Sequence, residues 1–148
     1  MGTDIFEIIS YLATAAGVIF AGVTYYLDKR RERKTATIRA YQNLDETTFA
    51  ELLKHQPSEI RAICENKQSG EFKQLGRYLA NIELFCIGLK EGIYDFDTFY
   101  AIAHGYFDNE RGTIKPRIVP IIEVKLNNAK EDYFSHIHWV WQKMDKYR

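Results

Sequence analysis

The chain has 148 residues, 46% of them hydrophobic, with 20 basic and 20 acidic side chains and a formal net charge of zero. That length allows one small domain beyond any membrane segment. The balanced charge speaks against a nucleic-acid-binding domain, which should carry a basic face of its own. The only two cysteines, Cys64 and Cys86, lack metal-ligand spacing and read as buried thiols in apolar helical contexts.

Ile8 to Leu27 contains no charged residue. At about 1.5 Å per residue this run spans about 30 Å as a helix, the hydrocarbon thickness of a bilayer. A secretory signal places positive charge before its apolar core. Here Asp4 and Glu7 come before the run, and Lys29, Arg30, Arg31, Arg33 and Lys34 follow it. Ala13-Thr14-Ala15 resembles a cleavage site, but the apolar run continues past it. The expected topology is therefore a short outer N-terminus over 1–7, a transmembrane helix over 8–27, and a cytoplasmic remainder. Tyr25 and Tyr26 fall where the interfacial aromatic belt belongs. The competing reading, a core helix of a soluble protein, accounts poorly for an uncharged run that meets five basic residues at once. Ala13, Gly17 and Ala21 stand four apart and line one face of the span, with Ser10 and Thr14 as a second small row. Such rows let membrane helices approach closely, so a homo-oligomer is expected.

No glycine or proline occurs between Val23 and Gln56. The helix is therefore expected to continue as a basic juxtamembrane segment over 28–44, docking through Ile38, Tyr41 and Leu44. Residues 28–37 show no apolar face and read as solvated or as lining an assembly. A cytosolic helical domain then occupies 45–148. Its first segment, 45–55, offers Phe49, Leu52 and Leu53 at helical spacing, and Ser58 can cap a short helix carrying Ile60 and Ile63. After Ser69, the residues Phe72, Leu75, Leu79, Ile82, Phe85, Cys86 and Leu89 trace one stripe of period 3.6. Gly92 is placed to end that helix and Asp95 to cap the next. That next helix presents Phe96, Phe99, Ile102, Ala103, Tyr106 and Phe107. Residues 118–124 would suit a strand, but a lone strand has no pairing partner in the chain, so a helix from near Pro120 is preferred. The last helix is expected from about Ala129, with Tyr133, Ile137, Val140, Trp141 and Met144 on one face. Trp139 and Trp141 point to opposite sides, which predicts one core and one exposed tryptophan. The fold class is all-α.

The sequence holds no phosphate-binding glycine loop, no Gly-x-Ser-x-Gly and no His-Glu-x-x-His. Of the four histidines, His136 and His138 stand two apart and cannot share a metal from one helix. Asp132 with His136, and His104 with Asp108, have half-site spacing that ordinary surface pairing explains better. No histidine follows an arginine at the spacing of small helical ribonucleases. No cofactor or metal is expected. Asn81 and Glu83 sit in the most apolar helix of the domain, and a carboxylate there needs a partner. Arg111 and Arg117, from the following loop, are the candidates, making a structural polar cluster or a switch.

The run RRERKTATI after the span and the stretch YLANIELFCIGLKEGIYDFDTFY carry a family resemblance. With Tyr78, Glu83, Gly88, Gly92, Ile93 and Asp95 in its pattern, the chain resembles a domain-of-unknown-function family of small bacterial single-pass membrane proteins with a helical cytosolic domain. The resemblance implies this architecture and an inner-membrane location, and no chemistry. Its layout is also similar to membrane effectors of bacterial antiviral systems. The leading expectation is a non-enzymatic membrane-anchored protein that self-associates or binds a protein partner, in its sharper form an effector that perturbs the bilayer. A membrane-tethered divergent ribonuclease and a sensor of a small nucleotide-like signal are the alternatives. Membrane lipid is an expected partner; nucleic acid is not.

Overall fold

A single helix, α1 (Gly2–Leu44), contains both the apolar run and the first element of the domain. The computed structural model describes residues 2–107, 113–127 and 134–147, with side chains from Ile5 onward. Helix α1 does not stop at Leu44. One π-helical turn, Asp45–Phe49, joins it directly to α2 (Ala50–Leu53). The unbroken rod from Ile5 to Leu53 has 49 residues and is about 70 Å long. No proline interrupts this stretch, and from Val23 onward no glycine does either, which explains its continuity into the domain. A π turn accommodates one extra residue inside an α-helix, and here Thr48 and Phe49 become fully buried.

The remaining elements wrap the lower part of the rod. They are α3 (Pro57–Glu65), α4 (Gly70–Lys90), α5 (Phe96–Phe107), α6 (Lys115–Leu126) and α7 (Ser135–Lys146), and the described residues include no strand. Helix α4 packs on α7 and α6, α3 packs on α6, and α5 lies along α1. The predicted stripe of α4 is the spine of the core: Phe72, Leu75, Leu79, Ile82, Phe85, Cys86 and Leu89 are all buried. The Ser69 hydroxyl caps α4 by accepting the Phe72 N–H (3.0 Å). Gly92, at φ 74°, ends it in the left-handed region that favours glycine. Rings from three helices, α1, α4 and α5, meet around Phe99, with Tyr41, Phe85, Phe96 and Phe107 centred 5.5–6.1 Å away.

Several expectations change at the level of faces and boundaries. Ile38 is exposed and Thr37, one position earlier, is the buried docking residue beside Tyr41 and Leu44. Ile102 and Tyr106 lie outside the core of α5. Gln56, not Ser58, caps α3, in a reciprocal capping box with Glu59. Helix α6 begins at Lys115, with Pro116 in its first turn and Pro120 inside it. A proline in the first turn removes only an N–H that has no helical acceptor, which is why Pro116 marks the start. Trp139 is half-buried against Phe96 (6.0 Å), while Trp141 is buried. Tyr133 and the expected start of the last helix at Ala129 lie outside the described residues.

Candidate functional site

The apolar part of α1 is the most exposed hydrophobic surface of the chain. Phe6 is 78% exposed, Phe20 74% and Leu12 65%, and none of the span's best apolar window is covered by the domain. This is one N-terminal helix long and apolar enough to cross a membrane. Ala13, Gly17 and Ala21 are exposed with it, and nothing lies within 4 Å of a Cβ placed on Gly17.

Just below the span, α1 meets the turn between α4 and α5. Thr37, fully buried, donates its hydroxyl to the Arg33 carbonyl and accepts the Asp95 N–H, each at 2.7 Å. The Asp95 carboxylate in turn caps α5, with Oδ2 accepting from the Thr98 N–H (2.9 Å) and hydroxyl (2.6 Å). Its Oδ1 faces the Arg33 guanidinium at 3.8 Å. Burial pushes the Asp95 carboxyl up, but the two Thr98 hydrogen bonds and the charges of Arg33 and Lys34 outweigh it and hold it below its ordinary value. Asp95 therefore has two roles: it starts α5 and locks that helix to the basic segment. Tyr26, Lys29, Arg30, Arg33 and Asp95 line a cleft between the rod and this turn. Arg31 lies on the other side of α1, in a groove with Asp28, Glu32, Thr35 and Arg39. Lys29 stands 3.7 Å from Glu32.

The polar residues of α4 and α6 do not form one cluster. Glu83 faces α7: Oε1 accepts the His136 N–H (3.2 Å) and lies 2.7 Å from His136 Nδ1, and Oε2 accepts the Ile137 N–H (3.0 Å). An ionised carboxylate only accepts, so Nδ1 carries the proton. Glu83 is thus a cap supplied from another helix, satisfying donors that α7, which starts after Phe134 at φ 69°, leaves without helical acceptors. Arg117 is not its partner. That guanidinium donates from Nε to the His55 carbonyl (2.9 Å) and from Nη1 to the Thr113 carbonyl (2.6 Å), tying α6 to the end of α2. Arg111 lies outside the described residues. Asn81 is exposed and reaches Thr48 Oγ1 at 3.4 Å, beside the π turn. Thr37 was not among the sequence candidates, and His136 was weighed only as a half metal site with Asp132, not as the partner of Glu83. Thr37 stands four and seven positions from Tyr41 and Leu44, so its register was the available signal.

Cys64 and Cys86 are free and buried. Burial, and then the neighbouring charge of Glu83, raise the Cys86 thiol well above its usual range, so it is kept neutral. Among the described residues, no three His, Cys, Asp or Glu side chains are grouped to hold a metal ion. Asp108 and Asp132, the acidic halves of the two spacings considered above, lie outside those residues.

The family pattern described as "Domain of unknown function (DUF4760)" matches residues 11–140. The chain belongs to this family. The match begins inside the apolar run of α1 and ends inside α7, so the DUF4760 domain includes most of that run, the basic segment and the helical bundle. No curated protein and no solved structure matches the chain.

Proposed function

We propose that this DUF4760 protein is a single-pass membrane protein that holds its helical bundle against the cytoplasmic face of a bilayer, in bacteria the inner membrane, and self-associates through its membrane helix. One observation carries the reading: the rod that is uncovered and apolar over 8–27 is the same unbroken helix that supplies Tyr41, Leu44, Phe49 and Leu52 to the core. Leaving that much apolar surface in water is costly, at about 25 cal/mol per Å². A bilayer removes the cost. The unbroken helix then fixes the bundle's height and orientation, which a flexible linker would not.

The placement of small residues supports self-association. Counting about 100° per residue, Gly17 lies about half a turn round α1 from the docking residues Thr37, Tyr41 and Leu44. Two rods can therefore meet along Ala13, Gly17 and Ala21 with their bundles on the outside. The same face continues downward to Asp28, Arg31, Thr35 and Arg39, whose mixed charges suit a parallel copy. The protein acts in this reading as a scaffold and not as a catalyst, and a bilayer-perturbing effector is its sharper form.

Topology is the direct test. Thr3→Cys in a variant with both native cysteines changed to alanine should be labelled by an impermeant thiol reagent in intact cells. A cysteine added after Arg148 should be labelled only after permeabilisation. Recovery of the chain in the soluble fraction, or the reverse labelling pattern, overturns the reading.

A further inference from the structure

We infer that the cleft lined by Tyr26, Lys29, Arg30, Arg33 and Asp95 is a binding site for the phosphate group of an anionic phospholipid. The inference rests on the membrane-anchored reading and deepens it, because it separates the basic residues that hold a headgroup from those that only set topology.

The first argument is position along the rod. Lys29 and Arg30 lie about 3–5 Å along the axis beyond Leu27, within a headgroup layer roughly 5–7 Å deep on each side of the hydrocarbon, and Arg33, about 9 Å out, reaches back to it from its outer edge. Lipid phosphates are thus present at this level without any need to move the protein. The second is the face. Tyr26, Lys29, Arg30 and Arg33 recur at i, i+3, i+4 and i+7, one side of α1, and this is the side that carries the bundle. A phosphate entering there meets a walled cleft, whereas Arg31 and Arg39 stand on the opposite side.

The third argument is preorganisation. Arg33 has a fixed neighbour: Asp95 lies 3.8 Å from its guanidinium and is itself held by Thr98 and by the backbone bond to Thr37. Asp95 faces Arg33 and Glu32 stands 3.7 Å from Lys29, so the three cations of the cleft exceed these two carboxylates by one positive charge. Arg33 keeps guanidinium donors for an incoming oxygen, Lys29 and Arg30 supply further charged donors, and the Tyr26 hydroxyl is a neutral one.

Retained lipid tests this. Full-length protein in neutral detergent is supplied with phosphatidylglycerol or phosphatidylcholine and washed at about 1 M salt, where the screening length is about 3 Å and diffuse attraction is suppressed. Phospholipid per chain is then counted by mass spectrometry. Wild type should retain phosphatidylglycerol and not phosphatidylcholine. Lys29→Gln with Arg30→Gln should weaken retention about tenfold or more, the loss expected for two charge-assisted contacts. Arg31→Gln with Arg39→Gln, the same charge change on the opposite face, should stay within about twofold of wild type. Lys29→Arg with Arg30→Lys should restore retention, which separates headgroup binding from a folding defect. Equal losses from both faces, equal retention of the two lipids, or displacement of phosphatidylglycerol by inorganic phosphate overturns the inference. A chain that stays membrane-embedded while showing any of these results overturns this inference alone, whereas one that leaves the membrane overturns the anchored reading.

Discussion

Glu83 illustrates how one side chain can decide whether a distant helix starts. Its carboxylate is 15% exposed and receives two backbone N–H groups of α7 together with the His136 ring. Glu83→Ala leaves those donors without an acceptor in a mostly dry site and should cost about 2–3 kcal/mol. Glu83→Gln retains one accepting oxygen and should cost roughly half as much. Denaturant unfolding of the full chain measures both, and equal stability of all three proteins would remove the cap from the account. Asp95 makes a prediction about pH. Its folded carboxyl lies below the ordinary 3.8, so its contribution is complete above that value. The contribution is lost as pH falls from about 4 through the lower folded value. Asp95→Asn should flatten stability against pH in that window relative to wild type. An unchanged acid limb would show that Asp95 contributes nothing there.

At the scale of elements, the α4–α5 turn does more than reverse the chain. A Cβ on Gly88 would lie 2.4 Å from the Tyr94 ring, which stacks on Phe85 at 5.1 Å, while the Tyr94 N–H donates to the Gly88 carbonyl (3.0 Å). Gly88 is therefore glycine for close approach, and Gly92 is glycine for its positive φ. Tyr94 also closes the turn that presents Asp95 to Thr37 and Arg33. Gly88→Ala should destabilise the bundle by about 1–3 kcal/mol through overpacking. In a Tyr94→Ala background the same substitution should cost little, because the ring it strikes is gone. A double-mutant cycle with no coupling between these positions would show that the contact is not what excludes a side chain at Gly88.

At the scale of the whole molecule, the rod turns a local contact into an arrangement of bundles. If copies meet along Ala13, Gly17 and Ala21, rigidity through Leu53 carries that contact to the docking segment without slack. The basic segments of neighbouring copies would then crowd together, a repulsion that the proposed anionic headgroups would offset. Gly17→Leu adds bulk at the contact without lowering the hydrophobicity needed for insertion. Cross-linking in native membranes should show a clear loss of higher-order species for this variant, with wild-type levels of inserted protein. Normal assembly of Gly17→Leu beside failure of Leu12→Ala would move the interface to another face of the span.

The apolar run, its length, the helical class and the stripe of α4 were legible in the chain itself, because each depends on periodicity or on an uninterrupted set of neighbours. Capping by Asp95 and the stop at Gly92 were legible for the same reason: their chemistry acts within a few residues. The partners of buried polar groups were not. Register with Tyr41 and Leu44 marks Thr37 and not Ile38 for the docking face, but its partner, the Asp95 N–H of the α4–α5 turn, is 58 positions away and has no local signal. Glu83 pairs with His136, 53 positions away, while Arg117 goes to the His55 carbonyl, because the packing of α4 on α7 and of α3 on α6 sets which polar groups meet. Local rules determine where helices begin, end and turn apolar. Only the packed structure determines which partner each buried polar group finds, since a desolvated donor or acceptor takes whatever complement its neighbours bring within reach.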